Sequence, residues 1–131
     1  MGQTLMRWVL DSNVWIEAAA GIPHATRALA KGALVDWCGF SAMSRLEVLG
    51  FPKLTLAEES GLLVLLSQFN EVSISGDVID RAIQLRRQVK IKAPDAIVAA
   101  TALLQGAELV TRNTADFKQI PGLSIIDTQS F

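Results

Sequence analysis

The sequence predicts an α/β fold, a parallel sheet covered by helices on both faces. Short apolar runs suited to strands alternate with stretches of helical period, the pattern of strands joined by crossover helices. The first run, around Val9-Leu10, is apolar on successive residues, as strands buried on both faces are. The 131 residues, 50 % of them hydrophobic, suffice for one domain over residues 1–131 with a proper core.

The elements follow in order. The first strand starts near Leu5 and ends at Leu10, directly before Asp11. Asn13 is suited to cap the helix after it, because its side-chain oxygen can accept from first-turn N–H groups. That helix covers Val14 to Ala20 and stops at Gly21, a favourable C-cap. Pro23 precedes a second helix, Ala25 to Lys31, which stops at Gly32. Leu34 to Phe40 reads as the second strand. Ser41 can cap the next helix, which carries Met43, Glu47 and Gly50 on one face. A carboxylate on such a half-buried face needs a partner, and Arg45 and Lys53 are the nearby cations. Leu56 to Phe69 is a long helix whose segment Leu62 to Leu66 is apolar on nearly every side, so it is either deeply buried or part of an interface.

Val72 to Ile74 reads as a short strand. Gly76 to Val89 is an amphipathic helix with Val78, Ala82, Leu85 and Val89 in one stripe and Ile79 and Ile83 beside it. Pro94 and Asp95 suit the first turn of the next helix, which is small or apolar from Ala96 to Leu104 apart from Thr101 and ends at Gly106. Glu108 to Thr111 is a strand. Thr111 to Phe117 is a polar turn with a short helical piece, and Leu123 to Ile126 is the last strand. There is no internal repeat, linker or low-complexity segment.

Composition removes several classes. The net charge of −1 gives no bulk attraction to nucleic acid. Cys38 is the single cysteine, so no disulfide framework or Cys-rich zinc site forms within the chain, and a reducing cytoplasmic setting is expected. No apolar stretch reaches membrane-spanning length, and no signal-peptide pattern opens the sequence. Met1-Gly2 starts like a myristoylation motif, but Met6 stands where Ser or Thr is required. His24, the only histidine, reads as a surface residue.

Four acids stand at element ends or in apolar settings: Asp11, Glu47, Asp95 and Asp116. Each alone has an ordinary explanation, as a turn residue, an ion-pair member or a complement to a helix dipole. Together they suggest more. Ligands of open α/β sheets bind beyond the carboxyl ends of the strands, where Asp11 and Asp116 belong. Clustered carboxylates repel and raise one another's pKa values, and a hard cation removes that penalty. All-oxygen ligation suits Mg²⁺ or Mn²⁺. Such a site makes bound water more acidic and clamps phosphoryl oxygens.

The segments Leu10-Asp11-Ser12-Asn13-Val14-Trp15-Ile16, Phe40 to Leu49, Asp95 to Ala102 and Val110 to Phe117 together resemble PIN-domain ribonucleases, within them the VapC-type toxins of toxin–antitoxin pairs. The four motifs occur in the family's order, and the resemblance covers essentially the whole chain. It implies a PIN-like three-layer α/β/α sandwich with a central, mostly parallel sheet. It implies that Asp11, Glu47, Asp95 and Asp116 surround one or two Mg²⁺ or Mn²⁺ ions. Thr111 and Asn113 match polar residues that help hold the last acid or a metal water, and Asn13 and Ser41 are counted with them as supporting polar residues. Which of Asn113 and Asp116 stands closer to the metal is open. The resemblance also implies endonucleolytic cleavage of RNA, inhibition of translation, a VapB-like antitoxin partner and a homodimer.

Two other readings remain. A phosphotransfer domain would phosphorylate a strand-terminal aspartate, although a haloacid-dehalogenase-like phosphatase wants Asp at position 13 and a receiver wants its acceptor later in the chain. A silent PIN-like RNA-binding module would lack one of the acids, and all four are present. Arg81, Arg86, Arg87, Lys90 and Lys92 form either a solvated helix face or a patch that tracks RNA phosphates. Leu62 to Leu66, with Trp15 and Trp37, form either core or an association surface.

Overall fold

The computed structural model describes residues 5–131; the Met1-Gly2 start lies outside the described residues. Five strands, β1 (Arg7–Leu10), β2 (Trp37–Ser41), β3 (Asn70–Val72), β4 (Glu108–Thr111) and β5 (Ile125–Asp127), form one sheet in the order β3-β2-β1-β4-β5. Every pairing is parallel. The helices are α1 (Ser12–Ala19), α2 (Pro23–Gly32), α3 (Ala42–Leu49), α4 (Leu56–Ser67), α5 (Gly76–Gln88), α6 (Ala93–Leu104) and α7 (Thr114–Phe117), followed by a 3-10 turn, Thr128–Ser130. Among the described residues no helix is long and apolar enough to cross a membrane.

Strand alternation divides the core into two layers. Trp8 and Leu10 of β1, Phe40 of β2 and Val110 of β4 pack with Val14, Trp15, Ala28, Leu29, Val48, Leu62 and Leu66 on one face. Val9 and Leu109 point the other way, into Val78, Ala82 and Leu85 of α5 and the alanine-rich side of α6. Successive strand side chains take opposite faces, so one short strand serves both layers. The expected three-layer arrangement is therefore present. Cys38 is buried in the first layer, and burial pushes its thiol up to about 12, leaving it unreactive at neutral pH.

Several boundaries differ from the sequence reading. Leu34 lies before β2 and is exposed, and β2 continues to Ser41. The third strand is Asn70–Val72 rather than Val72 to Ile74. It is an edge strand with two exposed residues, so no apolar run marks it; Asn70 Nδ2 instead donates to the Cys38 carbonyl at 3.0 Å. The last strand is Ile125–Asp127. The cap of α1 is Asp11, whose Oδ1 accepts from the Ser12 N–H, and Asn13 is already inside the helix. Of the three expected glycine stops, Gly21 and Gly106 sit just past α1 and α6 at φ +78 and +59, a left-handed conformation that glycine adopts without steric cost, whereas Gly32 is the last residue of α2.

The two tryptophans named with the Leu62 to Leu66 segment differ in burial. Trp15 is fully buried, with Phe40 and Phe69 edge-on at 5.4 and 5.1 Å. Trp37 is half-buried under the Arg7 guanidinium, 4.6 Å from the ring centroid, a cation–π contact. The α4 segment splits: Leu62 and Leu66 are 3 % and 4 % exposed, while Leu63 and Val64 are 47 % and 60 % exposed. The segment is core on one face and exposed apolar surface on the other.

Candidate functional site

The strand order has a reversal. From β1 the chain moves outward to β2 and β3, then returns to the other side of β1 for β4 and β5. The switch lies between β1 and β4, and the crevice beyond their carboxyl ends is where such sheets bind ligands. Asp11 follows β1 and Thr111 ends β4 at that place.

Asp11 is 4 % exposed. Its Oδ1 accepts from the Ser12 N–H at 2.8 Å, and its Oδ2 accepts from Thr111 Oγ1 at 2.8 Å. Thr111 Oγ1 in turn accepts from the Asn113 N–H at 3.0 Å. Burial pushes the Asp11 carboxyl up to about 6, against the pull of these hydrogen bonds, and the charges of Asp95 and Glu47 raise it further. A buried carboxylate with only neutral donors is costly, so something other than stability keeps it there.

Asp95 and Glu47 stand near enough for their charges to act on it, and Asp116 acts in turn on Asp95. Asp95 lies in the first turn of α6, half-buried, where burial raises its pKa. The charges of Asp116 and Glu47 raise it too, and the Lys92 ammonium lowers it. Glu47 is exposed on α3, contrary to the half-buried position expected. Its partner is Ser12, whose Oγ donates to Glu47 Oε1 at 2.7 Å. Arg45, one of the two cations expected near it, pairs instead with Glu71 on β3. Asp116 is exposed on α7 and lines a groove of about 440 Å³ with Asp95, Arg86, Lys90, Lys92 and Gln119.

The supporting residues take separate roles. Thr111 holds Asp11, and Asn113 acts through its main-chain N–H while its side chain is exposed. Asp116 rather than Asn113 lines the groove. Ser41 is fully buried and caps α3, accepting from the Met43 N–H at 3.1 Å. The half-buried Asn13 side chain makes no hydrogen bond among the described residues. Of the basic residues, Arg86, Lys90 and Lys92 share the groove with the acids. Arg81 borders a different hollow with Gln84, Gln88 and Pro121, and Arg87 lines neither. None of the five forms an ion pair among the described residues.

Three contributors escaped the sequence reading. Ser12 touches two acids, Gln119 lines the groove, and Arg112 ties the link after β4 to α1. Arg112 Nη1 donates to Glu17 Oε2 at 2.9 Å, with His24 Nε2 3.6 Å from the same oxygen. The position of Ser12 directly after Asp11, at a helix start, was the available signal. Nothing local marks Gln119 or Arg112, because their partners are distant in sequence.

Chemically, the site offers hard oxygen donors, the carboxylates of Asp11, Glu47, Asp95 and Asp116. Among the described residues no three acids, histidines or cysteines are close enough to hold one ion as they stand. That spacing still fits Mg²⁺, which keeps several waters and is commonly held by one or two carboxylates. It does not fit a closed zinc cage, which wants four Cys or His donors. The donor chemistry and the mutual repulsion of the acids therefore suit a hydrated hard cation.

Residues 8–123 match the PIN domain family profile. A chain of a toxin–antitoxin complex from Klebsiella pneumoniae is similar at 36 % identity and TM-score 0.77, covering 92 % of this chain and 96 % of that one. A chain of VapBC2 from Rickettsia felis, bound to a DNA fragment from its promoter, is similar in fold at 24 % identity and TM-score 0.81, covering 93 % and 98 %. A chain of DNA-bound VapBC from Salmonella typhimurium shares the fold at 22 % identity and TM-score 0.78, covering 95 % and 99 %. No curated protein sequence matches the chain.

Proposed function

The chain belongs to the PIN-domain family, and from that premise we propose that it is a Mg²⁺- or Mn²⁺-dependent endoribonuclease, the toxin of a VapBC-type pair. The observation that carries this reading is the buried Asp11 at the strand-order switch, its pKa raised by burial and by Asp95 and Glu47. A group with such a shift in a cleft is a functional candidate.

Asp11 and Asp95 are the principal metal carboxylates, with Glu47 and Asp116 completing the acidic rim. A bound Mg²⁺ or Mn²⁺ supplies positive charge and a more acidic water for in-line displacement at phosphorus. Thr111 and the Ser12 N–H fix both Asp11 oxygens, so the carboxylate keeps one orientation. Arg86, Lys90 and Lys92 draw the RNA phosphates into the groove beside the acids. Such contacts add affinity without reading sequence. Lys92 also offsets part of the acidic repulsion at Asp95.

The Klebsiella pneumoniae relative comes from a toxin–antitoxin complex, which supports a VapB-like antitoxin as partner here. Inhibited translation is the expected outcome of RNA cleavage, in the cytoplasm. The exposed Leu63 and Val64 offer apolar surface for the antitoxin or for a homodimer.

The test is purified protein with mixed RNA in Mg²⁺, Mn²⁺, Ca²⁺ or EDTA. Cleavage in Mg²⁺ and Mn²⁺, weak in Ca²⁺ and absent in EDTA or in Asp95→Asn, is expected. Cleavage that persists in EDTA and in Asp95→Asn would leave the nuclease reading without support. A hydroxylamine-sensitive mass increase on Asp11 after treatment with a small phosphodonor would favour phosphotransfer instead.

A further inference from the structure

We propose that Ser12 is a positioning residue that fixes the Glu47 carboxylate for metal binding, and so joins two acids from separate elements into one site. The inference rests on the metal-site reading above and adds a residue to it.

Glu47 projects from α3 with its side chain exposed. An exposed glutamate has three rotatable bonds, and ordering it costs side-chain entropy. Ser12 Oγ, at 2.7 Å from Oε1, is its only hydrogen-bond partner among the described residues. No cation holds it; Arg45, two residues earlier, is committed to Glu71. A hydroxyl donating to a carboxylate at that length is a charge-assisted bond. It occupies one oxygen of Glu47 and leaves Oε2 free for a cation.

Ser12 is suited to the task by its own rigidity. It is 7 % exposed, opens α1, and lies two residues after the end of the central strand. Its main-chain N–H is already spent on Asp11 Oδ1. The same residue thus addresses Asp11 through its backbone and Glu47 through its side chain. A donor so anchored transmits the placement of β1 to a carboxylate on a neighbouring helix. Outer partners of this kind, when removed, commonly cost 10- to 100-fold in metal affinity.

The experiment is a double-mutant cycle on the full chain, read by calorimetric Mn²⁺ titration without RNA. Ser12→Ala should weaken Mn²⁺ binding by about 10-fold, and Ser12→Thr, which keeps the hydroxyl, should restore most of it. In a Glu47→Ala background, which removes the acceptor that a glutamine would keep, Ser12→Ala should add less than about a 2-fold loss, because its target is gone. Ser12→Cys, nearly isosteric but a far weaker donor, gives the same comparison if the alanine variant does not fold. Equal affinities for wild type and both Ser12 variants would overturn the proposal while the metal site stands. An undiminished Ser12→Ala loss in the Glu47→Ala background would also overturn it, since Ser12 would then act through Asp11 alone. A wild-type chain that takes up no Mn²⁺ overturns the metal reading, and this one with it.

Discussion

Thr111 Oγ1 donates to Asp11 Oδ2 across 2.8 Å, joining two residues 100 positions apart. The bond closes the strand-order switch between β1 and β4, and both residues are buried. Thr111→Val keeps the shape and removes the donor. It also strips the Asn113 N–H of its acceptor. The expected cost at pH 7 is about 1–3 kcal/mol, the penalty for leaving buried polar groups unpaired. Urea denaturation of both proteins measures it. The loss should shrink near pH 4, where a protonated Asp11 no longer needs a donor.

The pH dependence of stability follows from Asp11 itself. Its folded pKa, about 6, lies above the ordinary aspartate value of 3.8, so the folded state holds the proton more tightly than the unfolded chain. The stabilisation this provides is complete below about pH 3.8 and is lost as pH rises through about 6. The window is worth about 3 kcal/mol. In metal-free buffer Asp11→Asn should flatten the stability profile between those pH values. It should gain about 1–3 kcal/mol over wild type at pH 7 relative to pH 4. Equal pH slopes for the two proteins would remove Asp11 as the source.

Mg²⁺ should act in the opposite sense. A cation that binds the assembled acids stabilises the folded state by mass action, and it binds the ionised carboxylates. The rise in melting temperature on adding Mg²⁺ should therefore be larger at pH 7.5 than at pH 5. It should be nearly absent in Asp95→Asn.

The basic residues divide by position. Arg86 and Lys90 share the groove with Asp95 and Asp116, whereas Arg87 does not. Each phosphate contact on a single strand contributes about 0.7 to the slope of log affinity against log salt. Arg86→Ala with Lys90→Ala should lower the slope for RNA binding by about 1.4. Arg87→Ala should leave it unchanged. A loss for Arg87→Ala equal to that of the pair would mean that the whole α5 face, not the groove, meets RNA.

On α4, Leu66→Glu should destabilise by more than about 3 kcal/mol, because it buries an unpaired charge. Leu63→Glu, on the 47 % exposed face, should stay folded and change oligomeric mass or antitoxin binding. Thermal melts combined with light scattering separate the two outcomes.

Much of this was readable in the amino acids because it is local. Helix starts and stops carried their own signals in Ser41, Pro23, Pro94, Gly21 and Gly106, and β4 was bounded to the residue. The edge strand β3 was misplaced because its exposed Asn70 and Glu71 break the apolar pattern that marks a buried strand. Asp11 and Asp95 stood out as acids at the ends of apolar elements. The partner of Glu47 did not, since a salt bridge to a nearby cation is the ordinary expectation and a serine 35 residues away is not. The division of the α5 cations between two hollows depends on how that helix rolls against α6, which periodicity alone does not specify.

The strand order sets a timetable for synthesis. β1, with Asp11, is made early, yet it is flanked in the sheet by β4, which arrives after residue 107. Until then the central strand has one bare edge, and Asp11 lacks Thr111 and the neighbourhood of Asp116. Chains emerge from the ribosome N-terminal end first, so a growing chain holds an unfinished site until about its last fifth appears. On the nuclease function proposed above, this order would keep the chain from cleaving RNA during most of its own translation.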